Sequence, residues 1–386
     1  ITIAACLHVT TETANLMITL KSGGAKVLLC ASNPLSTQDD VAAALVKEYG
    51  ISTFAIKGED NDTYYKHIKS TLSSKPNITM DDGADLVSVI HNNPSEYSNS
   101  IIGGTEETTT GIIRLKALSN ENKLIYPIIA VNEAATKHLF DNRYGTGQST
   151  LDGITRATNI LWSGRKVVIA GYGWCGRGIA NRLKGLGAKV FVVETTSSSA
   201  DGPSGYHRAL EAHYDGCWVG SLDDIVHLGD IFISATGNKH AIGIKHIEKM
   251  KNGAILANAG HFNNEIDING LESSSSSSKE ILPNVDKYYL NNGKHLVLLS
   301  KGRLVNLSQP TGQGHPIEIM DASFAIQALC VEYLVENYQN LKPSICNVPI
   351  SIDNEVAKIA LESHEIYLDD LSVDQKKYLQ TWQEGT

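Results

Sequence analysis

One turn constrains this chain more than any other feature: Val167-Val168-Ile169-Ala170 runs directly into Gly171-Tyr172-Gly173-Trp174-Cys175-Gly176. Four apolar residues bounded by a glycine predict a buried strand, and the pattern from Trp174 to Leu186 predicts a helix. The glycines therefore sit where a doubly wound α/β fold brings its backbone against a ligand. Gly171 permits the tight turn, Gly173 lets a pyrophosphate approach the helix N-terminus, and Gly176 lets helix and sheet pack closely, with Tyr172 inside the same turn. Glu194 closes the next strand, Lys189 to Glu194. A carboxylate there accepts from the ribose 2′-hydroxyl of NAD and repels the 2′-phosphate of NADP. The context points to NAD; a structural glycine turn beside an unrelated surface Glu is the bland rival.

A chain of 386 residues exceeds what one core holds, so two domains are expected. From the start to about residue 140, apolar runs such as Lys26 to Leu29 and Pro127 to Ala130 alternate with helix-like stretches such as Asp39 to Tyr49, the signature of a parallel sheet. The expected fold is α/β: two doubly wound parallel-sheet domains plus a short C-terminal extension. The boundaries expected are a substrate domain over 1–147, a Rossmann domain over 148–315, helices over 316–351 returning to the first domain, and an extension over 352–386. The serine run Ser273 to Ser278 reads as an exposed loop.

Composition narrows the partners. The net charge of -9 comes without a basic stripe, which argues against nucleic acid and for a small molecule. Six cysteines without paired spacing predict reduced thiols, no structural zinc and a cytoplasmic setting. No apolar run is long enough for a membrane span. The chain opens at Ile1 on an expected strand, so a leading segment is expected to precede it.

Polar clusters recur where strands should end: Cys6 to Thr10, Asp81-Asp82-Gly83, Gly104 to Gly111, and Lys137 with Asp141-Asn142. Parallel sheets bind ligands there. Taken singly, Thr10 and Asp82 read equally as helix caps, His8 as a cap or a satisfied core histidine, and Lys137 as a solvated charge.

As a set these residues resemble the S-adenosylhomocysteine hydrolase family along nearly the whole chain, in the form seen in archaeal or thermophilic members. The likeness lies in Leu7-His8 with Thr10 and Glu12, Asp81 to Leu86, Glu106 to Gly111, Lys137 to Gly145, the glycine turn, Asn258-Ala259-Gly260-His261-Phe262, Gly302 to Leu307 and Gly314-His315-Pro316. It implies that the substrate 3′-hydroxyl is oxidised to a ketone, which acidifies the neighbouring 4′ hydrogen. Homocysteine then leaves by elimination, water adds, and re-reduction returns the cofactor to its starting state.

The resemblance also implies roles. Lys137 takes the 3′-hydroxyl proton, a task asking for an amine made less basic by a dry site. Asp141 and Asn142 orient it, and Glu107 binds the ribose hydroxyls. Asp82 is associated with the 4′ proton and His8 with the leaving sulfur or incoming water. Thr10 and Glu12 hold the base, His261 and Phe262 gate the channel, and His315 contacts the substrate side. Thr108, Thr109, Thr110, Ala259, Gly260 and Asn306 join the glycine turn in holding NAD. The partners implied are S-adenosylhomocysteine, adenosine and homocysteine, and a homotetramer is expected. Longer members end in a Lys- and Tyr-containing tail over a neighbour's cofactor; Lys376, Lys377 and Tyr378 stand near the end here.

Three departures keep alternatives open. The turn after Glu194 is replaced by Thr195 to Arg208, and Arg208 admits a phosphate, so NADP stays possible. The segment Ser308 to Gln313 is two residues longer than usual, and Thr146 replaces a cysteine. Glu12 accepts equally from hypoxanthine, which leaves S-inosylhomocysteine as a rival substrate. A catalytically silent NAD-binding relative and a 2-hydroxyacid dehydrogenase are the other classes.

Overall fold

A computed structural model describes residues 1–197 and 202–383. In chain order the strands of the first half are β1 (Thr2–Leu7), β2 (Lys26–Ala31), β3 (Ser52–Phe54), β4 (Ile78–Asp81), β5 (Gly103–Glu106) and β6 (Ile128–Ala130). The second half contributes β7 (Lys166–Ala170), β8 (Lys189–Val193), β9 (Trp218–Gly220), β10 (Ile231–Ser234), β11 (Ile255–Asn258), β12 (Ser275–Leu282), β13 (Val285–Leu290) and β14 (His295–Leu299). The chain then returns, and β15 (Ile345–Asn347) lies parallel to β6.

The first sheet runs β15-β6-β5-β4-β1-β2-β3, with every pairing parallel. Helices cover both its faces, so its strands are apolar throughout rather than alternating. In β1, Ile3, Ala5 and Leu7 enter a core with Met17, Leu45 and Leu334, whereas Ala4 and Cys6 enter another with Ile68, Leu86 and Ile90. The second sheet runs β12-β13-β14-β11-β10-β7-β8-β9. From β14 to β9 it is parallel in the Rossmann order, and β12 and β13 add an antiparallel margin. Strand order reverses between β1 and β4 and again between β7 and β10, creating two crevices at carboxyl ends.

The serine run corrects one expectation. Ser273 ends a helix and Ser275 begins β12, which pairs with β13 from Ser275↔Leu290 to Leu282↔Val285. Serine on both faces suits an edge strand exposed to water; composition suggested a loop because it carries no pairing information.

Between the sheets, the helix Thr146–Thr158 packs against the glycine-turn helix Trp174–Gly185. Their backbones touch. A Cβ on Gly178 would stand 1.8 Å from the carbonyl oxygen of Arg143, and one on Gly147 would stand 2.7 Å from the carbonyl carbon of Gly178. The 21-residue return helix Ile317–Asn337 buries Ile326, Cys330 and Leu334 against the first sheet. The helix Ile350–Ser363 packs on it, and its Asp353 carboxylate accepts from the amides of Ala135 at 2.7 Å and Thr136 at 2.9 Å. No helix among the described residues is long and apolar enough to cross a membrane.

Candidate active site

Both crevices open into one cavity of about 510 Å³. Of the catalytic, substrate and cofactor residues expected from the sequence, all but Tyr172, Gly176 and Phe262 line it. Tyr172 is a correction: its side chain is buried, its hydroxyl donates to Asp215 at 2.7 Å, and its amide donates to Glu194 at 2.6 Å. Gly176 acts by packing, since a Cβ there would meet the Gly171 carbonyl oxygen at 2.1 Å. Phe262 stands behind His261, edge to face at 4.7 Å, with the Arg114 guanidinium over its ring.

Lys137 is the hub of the substrate side. The segment His138–Gly145 winds as a π-helix, whose wide turn sets residues four and five positions on along the same face as Lys137. Its Nζ meets Asp141 Oδ2 at 2.7 Å and donates to Asn142 Oδ1 at 2.8 Å, with Glu107 Oε1 at 3.5 Å. Asn142 in turn donates to Asn132 Oδ1 at 3.0 Å, and Asp353 caps the turn carrying Lys137. Burial alone would lower the lysine pKa, but the carboxylates of Asp141 and Glu107 outweigh it and raise the value. This overturns the expectation of a less basic amine: the site is dry, yet its charges favour the ammonium. Asp141 shows the counterpart, because burial pushes its carboxyl up while Lys137 and His315 hold it well below the ordinary range.

His315 serves here as an anchor. Its Nδ1 donates to Asp141, and its Nε2 accepts from Asn306 Nδ2 at 3.2 Å, an arrangement that selects the Nδ1–H tautomer. Thr146 Oγ1 lies 3.4 Å from the same Nε2.

Across the cavity stand His8, Asp82 and His261. Ser36 and Ser32 hydroxyls meet His8 Nδ1 at 2.7 and 3.1 Å, leaving Nε2 to face Asp82 Oδ2 at 3.3 Å. His261 Nδ1 lies 3.6 Å from the other Asp82 oxygen. The three groups bring one ligand-type atom each within 4.8 Å of one another, a spacing open to a shared proton or a cation and announced by no motif. Burial, reinforced by Glu107, raises the Asp82 pKa well above the carboxylate range. Burial also lowers His8 well below the imidazole range and takes His261 down to about 4. A buried carboxylate of raised pKa is a strengthened base.

That strength has a cost in stability. The Asp82 pKa is higher folded than unfolded, so its contribution declines as pH rises above about 4, the unfolded value. Asp82→Asn is therefore expected to raise the melting temperature by roughly 2–4 °C at pH 8, the response to about 1 kcal/mol in domains of this class, with no gain below about pH 4. Melting curves at the two pH values check this; equal gains would remove the electrostatic explanation.

Thr10 caps the helix Thr11–Ser22 by accepting from the Thr13 amide, and Glu12 presents its carboxylate from the first turn. Asp82 is no cap, because Ala84, in the left-handed region, precedes the next helix. Thr108 caps the helix Thr109–Asn120, placing Thr109 and Thr110 on the wall, and Thr110 Oγ1 lies 3.6 Å from where a Cβ of Gly237 would stand.

The cofactor side passes a test of fit. Gly171 has φ +98, and a Cβ at Gly173 would meet nothing within 4 Å. That open space heads the helix Trp174–Gly185, whose cap makes no side-chain hydrogen bond, so its first amides face the cavity as an anion site. Glu194 lies on the wall beyond, with Arg208 Nε and Nη2 donating to it at 2.8 and 3.0 Å. Arg208 is thus committed to Glu194, and a 2′-phosphate would have to break that pair beside a carboxylate. The remainder of the altered loop, residues 198–201, lies outside the described residues, as do residues 384–386.

Comparison with known proteins decides the family. The family model for S-adenosyl-L-homocysteine hydrolase matches residues 1–101, and that for its NAD binding domain matches residues 142–312. Adenosylhomocysteinases of Saccharolobus solfataricus and Aquifex aeolicus are 56% and 52% identical over all of this chain and 90% and 89% of their own lengths. That of Pyrococcus abyssi is 52% identical over the whole chain and 88% of its length.

The chain belongs to the S-adenosyl-L-homocysteine hydrolase family.

As a member of that family it uses NAD, which resolves the question left by Arg208. The family match supports none of the rival substrates or classes. Sequence reasoning missed the groups behind the first line of side chains: Ser32 behind His8, Asn132 behind Asn142, Ser323 and Gln327 behind Glu107, and Asp353 behind Lys137. Ordinary polar residues on loops and helices carry no motif.

Proposed function

We propose that this chain catalyses the reversible hydrolysis of S-adenosyl-L-homocysteine to adenosine and L-homocysteine, holding NAD throughout. The observation carrying the proposal is that the glycine turn and the buried Lys137, Asp141, Asn142 and Glu107 cluster share one cavity. The group the glycine turn and Glu194 would hold supplies a hydride acceptor that later returns the hydride. The remaining chemistry belongs to the side chains.

Glu107 accepts from the sugar hydroxyls and Lys137, once neutral, takes the proton of the 3′-hydroxyl. Asn142 fixes the amine, and Asp141, anchored by His315, sets its distance from the sugar. Once the 3′ carbon is a ketone, the 4′ hydrogen is acidic, and Asp82 removes it. His8, buried neutral and held through Nδ1 by serine hydroxyls, receives at Nε2 the proton that Asp82 has removed and passes it to the departing sulfur; it then takes one from the incoming water and returns it through Asp82 to the 4′ carbon. Thr10 and Glu12 receive the base, and His261, backed by Phe262, closes the channel. Thr108, Thr109, Thr110, Ala259, Gly260 and Asn306 line the cofactor.

The domain limits proposed are 1–147 with 316–351, 148–315, and 352–386. A cytoplasmic homotetramer is proposed as well. Its support is the segment after Ser363, where Tyr367, Leu368, Val373, Leu379 and Trp382 expose large apolar surfaces that association would cover.

Incubation of the holoenzyme with adenosine and homocysteine is expected to yield S-adenosylhomocysteine with no net accumulation of reduced cofactor. Stoichiometric consumption of added NAD would point instead to a dehydrogenase, and condensation of inosine but not adenosine would overturn the choice of base.

A further inference from the structure

Glu107 is gripped from a distant part of the chain. Its Oε1 accepts from Ser323 Oγ at 2.6 Å, and its Oε2 accepts from Gln327 Nε2 at 2.6 Å. The donors stand four residues apart on the return helix, so one helical face presents both. They are 1% and 0% exposed, and neither lines the cavity. A donor on each oxygen leaves the carboxylate little freedom to rotate, with Oε1 kept 3.5 Å from Lys137 Nζ. Gln327 Oε1 has no hydrogen-bond partner among the described residues. A buried amide whose carbonyl is unsatisfied costs stability, which marks its N–H as the useful half.

We propose that Ser323 and Gln327 are positioning residues for the oxidation step, holding Glu107 turned toward the sugar as a hydrogen-bond acceptor. This rests on the assignment of Glu107 to the sugar hydroxyls made above. Burial pushes the Glu107 carboxyl up, while Lys137 and these two donors pull it down. Asp141 and Asp82 also face it and favour its protonated form, and the nearby Cys330 thiol is itself pushed up to about 12. Without Gln327 the balance shifts toward a protonated Glu107, which no longer accepts at both oxygens.

The test measures binding of 3′-deoxyadenosine, which keeps the 2′-hydroxyl but cannot be oxidised, to the NAD-loaded protein by calorimetry from pH 5.5 to 9. Gln327→Met keeps side-chain length without the donor. It is expected to move the acidic loss of affinity up by about one pH unit, so that binding is up to about tenfold weaker at the acidic end of the range and equal to the parent at the alkaline end. Ser323→Ala should show the same displacement, and Ser323→Thr, retaining the hydroxyl, should restore the parent profile. If Gln327→Met does not fold, the two serine variants decide alone. Affinity unchanged, or weakened equally at every pH, would reduce the two residues to core packing and overturn the inference. Glu107→Gln separates the levels: parent-like binding and pH dependence in that variant would overturn the role of Glu107 itself.

Discussion

Lys137→Ala protein is expected to bind adenosine yet leave its NAD oxidised, with cofactor reduction slowed by about 10²–10⁴-fold, the usual consequence of losing a positioned acid–base group. The structure adds a pH dependence to this expectation. Asp141 and Glu107 raise the Lys137 pKa, so only a small fraction of the amine is neutral near pH 7. That fraction grows about tenfold per pH unit below the pKa, and the parent's reduction rate should rise into the alkaline range. Lys137→Arg should fail as completely as alanine, because a guanidinium does not deprotonate. Asp82→Asn should behave differently: it should still reduce NAD when adenosine is added, but exchange the 4′ hydrogen poorly. Stopped-flow absorbance of the reduced cofactor and isotope exchange at the 4′ carbon report the two steps. Equal loss of both signals in both variants would sink the division of labour between Lys137 and Asp82.

Stripping the protein of its cofactor is expected to abolish hydrolysis altogether, because no residue in the cavity can accept a hydride. Purified protein should carry about one NAD per chain, released on denaturation, and readdition should restore activity. NADP should restore far less, since its 2′-phosphate must displace Arg208 from Glu194. Full-rate hydrolysis by demonstrably cofactor-free protein would refute the redox mechanism. Equal rescue by both nucleotides would refute the reading of Glu194 and Arg208.

The same two experiments probe features of unequal legibility. The glycine turn was readable because its constraint is local: Gly171, Gly173 and Gly176 answer to backbone geometry within six consecutive residues. Strand ends were readable from the alternation of apolar runs and polar clusters, which is why most of the candidate residues share a cavity. Local signals misled where several conformations suit the same composition, as in the serine run that forms β12. They were silent on Gly147 and Gly178, whose need for hydrogen in place of a side chain exists only once two helices cross.

Sequence by itself determined the α/β class and the dinucleotide turn, since each depends on residue type and short-range order, while the candidate reacting groups came from the family resemblance. Tertiary structure alone decided what those groups are in chemical terms. The same Lys137 would be a weakened base in an apolar pocket and is an ammonium here, because Asp141 follows within one helical turn and Glu107 arrives from another strand end. Glu107 depends on Ser323 and Gln327, 216 and 220 residues away, and the Lys137 turn depends on Asp353, 217 residues from Thr136. A pKa is a sum over distances in space, and those distances are set only when the return helix and the helix after it close on the first sheet.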